Sequence, residues 1–428
     1  MIKKELNKLD LNLFEENLKN GLKIYMIPNN KVNNIYVTYT AFYGSCDNEF
    51  IPFGKNEYEK VPDGVAHFLE HKLFEQENGE DPFSFFSKNG ADVNAYTSFF
   101  GTTYLFSGME HFNENLKYLL NYVESPYFTD ENVEKEKGII LQELKMHKDN
   151  PYRAGKIKII ENAFVKNPIR IPVIGTEDSI KSITKEDLYT CYNTFYHPSN
   201  MILVITGNFN PDETLNVIKE IEDIRALNSE DEIKTKKYEE PDYVTKEDDI
   251  FHLSVSIPKV FVGIKLNIKN ILKKYPKYLV RRYINMYMNI KFGNISKLQE
   301  NLINKNIINS DIEIDQINTD EHLLYILYAD TTHPEEFINE IVNEIETKII
   351  EQSDFMRKKK LYLASNISMS DNIYRLNEKV INDILLNGKV ITDCYEIYNS
   401  LNIDTLNEII EQLDFSNICK LIVKDWKK

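Results

Sequence analysis

His67 and His71 stand four residues apart in the run Val65-Ala66-His67-Phe68-Leu69-Glu70-His71-Lys72-Leu73-Phe74, which is mostly apolar. On a helix that spacing puts both rings on one face, one turn above the other. Two imidazoles so placed can reach a single ion at about 2.0–2.1 Å, and borderline-soft zinc favours nitrogen ligands of this kind. Glu70 immediately precedes His71, so its carboxylate falls beside the ligand pair, where a base acting on water belongs. The same residues also fit a plain helix with two partly exposed histidines and an acidic neighbour, and their spacing alone does not separate the two readings.

A catalytic zinc takes three protein ligands and keeps one position open, so a third donor must come from elsewhere in the chain. The stretch Glu134–His147 reads as a helix, on which Glu136 and Glu143, seven residues apart, share a face. Two carboxylates converging on one site can divide the work, one ligating and the other orienting a ligand from behind. Against this, acidic residues on helices ordinarily just meet water. His147, one turn after Glu143, is a further candidate ligand. His111, His197, His252, His322 and His333 have no spaced partner and read as surface or satisfied core residues.

The elements that must carry these residues are legible in the periodicity. Residues 21–27 and 35–41 are rich in β-branched and aromatic side chains and predict strands. Around 112–124, 130–148 and 211–222 the apolar residues recur at three- and four-residue spacing, which predicts amphipathic helices on a sheet. The segment 228–250 is so charged and polar that it reads as a solvated connection at a domain boundary. A strand at 202–206 followed by Pro211-Asp212-Glu213 and a helix is echoed by a strand at 323–327 followed by Pro334-Glu335-Glu336 and a helix. Proline with acidic residues at a helix start has its own local cause; the echo nevertheless predicts a duplication. The expected organisation is two related α+β domains, residues 1–227 with the candidate site and 251–428 without it, joined by 228–250.

With 428 residues, 42% of them hydrophobic, the chain can bury more than one core. The net charge of −16 argues against a nucleic-acid binder and suits a basic peptide partner. Cys46, Cys191, Cys394 and Cys419 have no paired spacing and are expected as reduced, buried thiols. The start Met1-Ile2-Lys3-Lys4-Glu5 lacks the apolar core of a signal peptide, and no run approaches membrane-spanning length, so a cytoplasmic protein without a membrane role is expected.

The His-Phe-Leu-Glu-His run at 67–71 and the glutamate pair Glu136/Glu143 resemble the pitrilysin and insulinase type of zinc metallopeptidases, the inverzincins, and within them the bacterial relatives of mitochondrial processing peptidase. The resemblance extends over essentially the whole chain. It implies a Zn2+ endopeptidase whose two related domains, each a mostly antiparallel sheet covered by helices, make half of a clam-shell. It further implies His67, His71 and Glu143 as zinc ligands, Glu70 as the base and Glu136 as the supporting carboxylate. The run Gly90-Ala91-Asp92-Val93-Asn94-Ala95-Tyr96-Thr97 resembles the family's substrate-accepting edge strand, which implies that Asn94 and Ala95 bind peptide backbone. Members that work alone carry an Arg and a Tyr in the second domain, and the corresponding stretch 292–308 has neither. Arg281, Arg282 and Tyr283 precede the expected position and read as packing and surface residues. The resemblance therefore implies a heterodimer with a zinc-free relative supplying that pair, a homodimer being the other assembly. Substrates would be unfolded peptides or precursor and leader segments; a noncatalytic binding or assembly subunit of the same fold is the alternative function.

Overall fold

The computed structural model describes residues 1–222 and 232–426. It divides into two compact units, the first comprising Met1–Leu144, Ile171–Lys237 and Asn366–Cys394, the second Lys145–Arg170, Tyr238–Ser365 and Tyr395–Lys428.

The strands of the first unit are β1 (Ile2–Leu6), β2 (Leu11–Asn17), β3 (Lys23–Pro28), β4 (Ile35–Ala41), β5 (Glu49–Phe50), β6 (Glu59–Lys60), β7 (Ala91–Thr97), β8 (Thr102–Gly108) and β9 (Met201–Gly207). Seven form one sheet in the order β1-β2-β3-β9-β4-β8-β7, while β5 and β6 make a small separate ribbon. Only β3 and β9 run parallel. Central β4 is buried along its whole length, so its threonines need internal partners. Thr38 donates to Asn377 at 2.7 Å and the Thr40 and Thr103 hydroxyls lie 2.9 Å apart. Strand β7 closes one edge and pairs, among the described residues, with β8 alone.

The second unit holds β10 (Asp248–His252), β11 (Lys259–Asn267), β12 (Glu313–Asn318), β13 (His322–Asp330) and β14 (Ile418–Lys424) in the order β10-β14-β11-β13-β12. Here β10 and β14 run parallel and the other neighbours antiparallel. Strand for strand this repeats β3-β9-β4-β8-β7 of the first unit, so the chain is built from two related α+β halves.

The repeat pairs different segments from those the sequence suggests. Strand β13 with the helix Pro334–Glu346 corresponds to β8 with the helix Phe112–Val123, because each joins an edge hairpin to a helix. The matching Pro-acidic helix starts at 211 and 334 are thus shared N-terminal helix chemistry and not the signature of the repeat.

The unit boundaries also depart from a simple division at 228–250. The helix Pro151–Ala163 belongs to the second unit. Its Gly155 packs so close to the Phe261 ring of β11 that a Cβ would sit 2.3 Å from it. The helix Ile373–Asn387 belongs to the first unit. There Leu376, Val380, Ile381 and Ile384 pack with Leu11, Leu13, Ile27, Ile202 and Val204. Asn377, fully buried, donates to the Val204 carbonyl at 3.1 Å. The polar segment is likewise tied down where it is described. Ile51 N–H donates to Lys234 O at 3.0 Å, and Glu240, with only 3% of its side chain exposed, pairs with fully buried Lys265. Residues 228–231 of that expectation lie outside the described residues. All four cysteines are free; Cys46 is partly exposed and the other three are buried.

Candidate metal centre

The helix Val65–Leu73 buries Val65, Ala66, Phe68, Leu69 and Leu73 and turns His67 and His71 the other way. Its start is set by Gly64, which takes φ 92°; a Cβ there would come within 2.5 Å of the Ile174 carbonyl oxygen. Both the left-handed backbone and the close approach require glycine.

The two imidazoles lie with ring centroids 4.6 Å apart. Glu143, on the helix Asp130–Asp149, brings Oε2 to 3.7 Å from His67 Nε2 and 3.5 Å from His71 Nε2. Donor atoms of all three residues lie within 4.8 Å of one another, and this is the one such group of metal-binding side chains among the described residues. Ligands arranged tetrahedrally about 2.1 Å from a zinc ion are separated by about 3.4 Å. The donor chemistry and spacing therefore fit zinc.

Glu136 stands behind the site, its Oε1 3.0 Å from His71 Nδ1. With Nδ1–H donating there, Nε2 is left as the free lone-pair donor facing Glu143. Burial disfavours the His71 cation, but the hydrogen bond to Glu136 and the charges of Glu70, Glu136 and Glu143 outweigh it and hold the imidazole above its ordinary pKa. The three carboxylates acting on His71 make the potential there negative, which favours a divalent cation. Glu70 is 8% exposed, and its Oε2 accepts the Thr97 hydroxyl at 2.6 Å. Burial pushes Glu70 above the usual carboxylate range, with Thr97 and His71 opposing the shift.

Asn94 is exposed on edge strand β7 and Ala95 is partly buried. The Asn94 side chain accepts its neighbour Ala95 N–H at 2.9 Å. His147 is not part of the cluster. His252 stacks on Trp426, His322 lies 3.0 Å from Asp242, and His197 caps a short turn through Ser199. Arg281 donates to Thr319 O at 2.9 Å and burial lowers its pKa to about 10. Arg282 stacks over Tyr278 and Tyr398, and the Tyr283 hydroxyl accepts Asn402 N–H at 3.2 Å, so all three are taken up in packing of the second unit.

Thr97 is the site residue to which sequence reasoning assigned no role. Alternation along β7 puts it on the same face as Ala95 and Val93, yet which helix covers that face is a tertiary fact.

Two family models match consecutive parts of the chain, "Insulinase (Peptidase family M16)" over residues 50–177 and "Peptidase M16 inactive domain" over 182–362. The zinc protease YmfH of Bacillus subtilis is 36% identical over 429 residues, covering 98% of this chain and 99% of the relative. The chain belongs to the M16 peptidase family. An M16-like peptidase from Alicyclobacillus acidocaldarius superposes with a TM-score of 0.90 at 29% identity, covering 97% of this chain and 98% of that one. The M16 fold also appears in the periplasmic protease PqqL of Escherichia coli, where 99% of this chain matches 48% of that one with a TM-score of 0.73 at 18% identity.

Proposed function

We propose that this M16 chain is a zinc endopeptidase acting in the cytoplasm on extended peptides, precursor or leader segments. It would be the zinc-bearing subunit of a heterodimer whose partner contributes an Arg/Tyr pair. The observation that carries the reading is the convergence of His67, His71 and Glu143 donors beside a buried, hydrogen-bonded Glu70.

His67, His71 and Glu143 would hold the metal, with Glu136 fixing the His71 tautomer. Bound zinc would supply Lewis acidity, acidifying a water and polarising the scissile carbonyl. Glu70 takes a proton from the attacking water as its oxygen bonds to the carbonyl carbon. It then delivers that proton to the amide nitrogen as the C–N bond breaks, and the remaining hydroxyl proton passes from the new carboxylic acid to the amine, leaving a carboxylate and an ammonium. Extended peptide adds along the open edge of β7, with Asn94 and Ala95 at the point of addition.

The heterodimer is supported by the stretch 292–308, which contains neither Arg nor Tyr, and by the packing that engages Arg281 and Tyr283. Removing one oxyanion-stabilising donor costs on the order of 10²–10³ in rate, so a chain lacking both should be nearly inactive by itself. That PqqL is about twice as long and uses this fold for half its length fits a paired assembly.

The test is zinc content and cleavage of an unstructured peptide pool by the purified chain, alone and with a co-encoded relative carrying an Arg/Tyr pair. Zinc with turnover only in the mixture is expected. Glu70→Gln should keep the zinc and lose turnover, and retained turnover would remove Glu70 as the base. A chain that binds no zinc would leave a binding-only subunit.

A further inference from the structure

Strand β7 pairs with β8 along its length but has no main-chain partner on its outer side among the described residues, so its side chains help to fix that edge. On one face Thr97 donates to Glu70 at 2.6 Å, tying the strand to the helix that carries the two histidines. On the other face the Tyr96 hydroxyl reaches both carboxylate oxygens of Glu378, at 3.2 and 3.1 Å. Glu378 lies on the helix Ile373–Asn387, one residue after Asn377. That asparagine is buried and bonded to Thr38 at 2.7 Å and Val204 O at 3.1 Å, so the helix is a rigid mount for the carboxylate. The neighbouring Tyr374 packs edge-on against Tyr36 of β4 at 4.8 Å between ring centroids.

We infer that Glu378 is a positioning residue for substrate: through Tyr96 it holds β7 flat and at a set distance from Glu70, so that a peptide added at Asn94 and Ala95 presents its carbonyl to the metal centre. A carboxylate–phenol hydrogen bond is charge-assisted and stronger than a neutral one. Tyr96 sits between the two residues assigned to peptide binding and the one bonded to the base, so loosening it moves both ends of the site. This inference rests on the peptide-binding reading of β7.

The test uses the zinc-loaded, full-length Glu70→Gln chain, with its partner subunit if one is required, so that binding is read without cleavage. Affinity for a fluorescent unstructured peptide is measured, with hydrogen exchange of the β7 amides followed in parallel. Adding Glu378→Ala or Tyr96→Phe should weaken binding by about three- to tenfold and speed exchange across Ala91–Thr97, with zinc content unchanged. Adding Glu378→Gln, which keeps an acceptor, should restore most of both. Peptide binding by the parent that is unaltered in Glu378→Ala and Tyr96→Phe would overturn the positioning role and leave the peptidase reading standing. No peptide binding by the zinc-loaded parent would overturn the peptide-binding reading itself, and the positioning role with it.

Discussion

Replacing Glu136 by Gln separates a supporting carboxylate from a ligand. Glu136 Oε1 lies 3.0 Å from His71 Nδ1, with 12% of the Glu136 side chain and 26% of the His71 side chain exposed. The hydrogen bond is thus shielded without being fully desolvated. Groups that orient a metal-bound histidine in this way typically contribute a factor of about 10–100 in metal affinity. Glutamine keeps an oxygen able to accept Nδ1–H but loses the charge, which places Glu136→Gln near tenfold. Alanine removes both, which places Glu136→Ala nearer a hundredfold. Glu143→Gln replaces the one charged donor among three whose atoms lie within 4.8 Å of one another with a weak neutral amide oxygen and should cost more than either. Zinc affinity of the purified variants, measured by competition with a chromophoric chelator at fixed pH, gives the order directly. If Glu136→Gln weakens zinc more than Glu143→Gln, the roles of the two carboxylates are exchanged and the reasoning from distances is wrong.

Two further predictions concern stability. Glu240 accepts the backbone N–H groups of Val165, Lys166 and Asn167 at 2.8, 2.8 and 2.7 Å as well as Lys265 Nζ at 2.6 Å. Glu240→Gln would leave the buried Lys265 ammonium with the Pro241 and Tyr243 carbonyls but without its paired carboxylate, and should cost about 3–5 kcal/mol in denaturant unfolding, with much of that recovered by adding Lys265→Met; a loss under about 1 kcal/mol would mean that water reaches the pair. Burial pushes Asp47 up to about 7 against a single Gly44 N–H at 3.0 Å. A carboxyl whose folded pKa is raised contributes stability that is complete below its unfolded pKa near 3.8 and is lost as pH rises through 7. Asp47→Asn should therefore gain on the parent between about pH 4 and pH 8, by roughly 1–3 kcal/mol given the partial exposure of the side chain. Parallel unfolding curves across that range would remove the titration from Asp47.

Strands at 35–41 and 201–207 and helices at 112–123, 130–149 and 211–222 follow the periodicity closely, because each buries one face or the whole of a short run. A duplication is present, but the echo between Pro211 and Pro334 that suggested it is not its signature. Local capping at Pro211 and Pro334 looks alike, whereas equivalence is defined by strand neighbours far apart in the chain. Glu240 reads as one more charge in a polar stretch, and only the fold supplies the three amides and the lysine that make its burial tolerable.

The sequence by itself determined the local half of the site. A four-residue histidine spacing on a helix, with Glu70 beside it, is a matter of helical pitch and needs no distant contact. Tertiary structure alone decided which helix faces that pair and that Thr97 bonds Glu70. It also brought Glu378 to Tyr96 across 282 positions of chain. Such pairings depend on how separated elements pack around a shared core, and no short-range pattern of residue types encodes that choice.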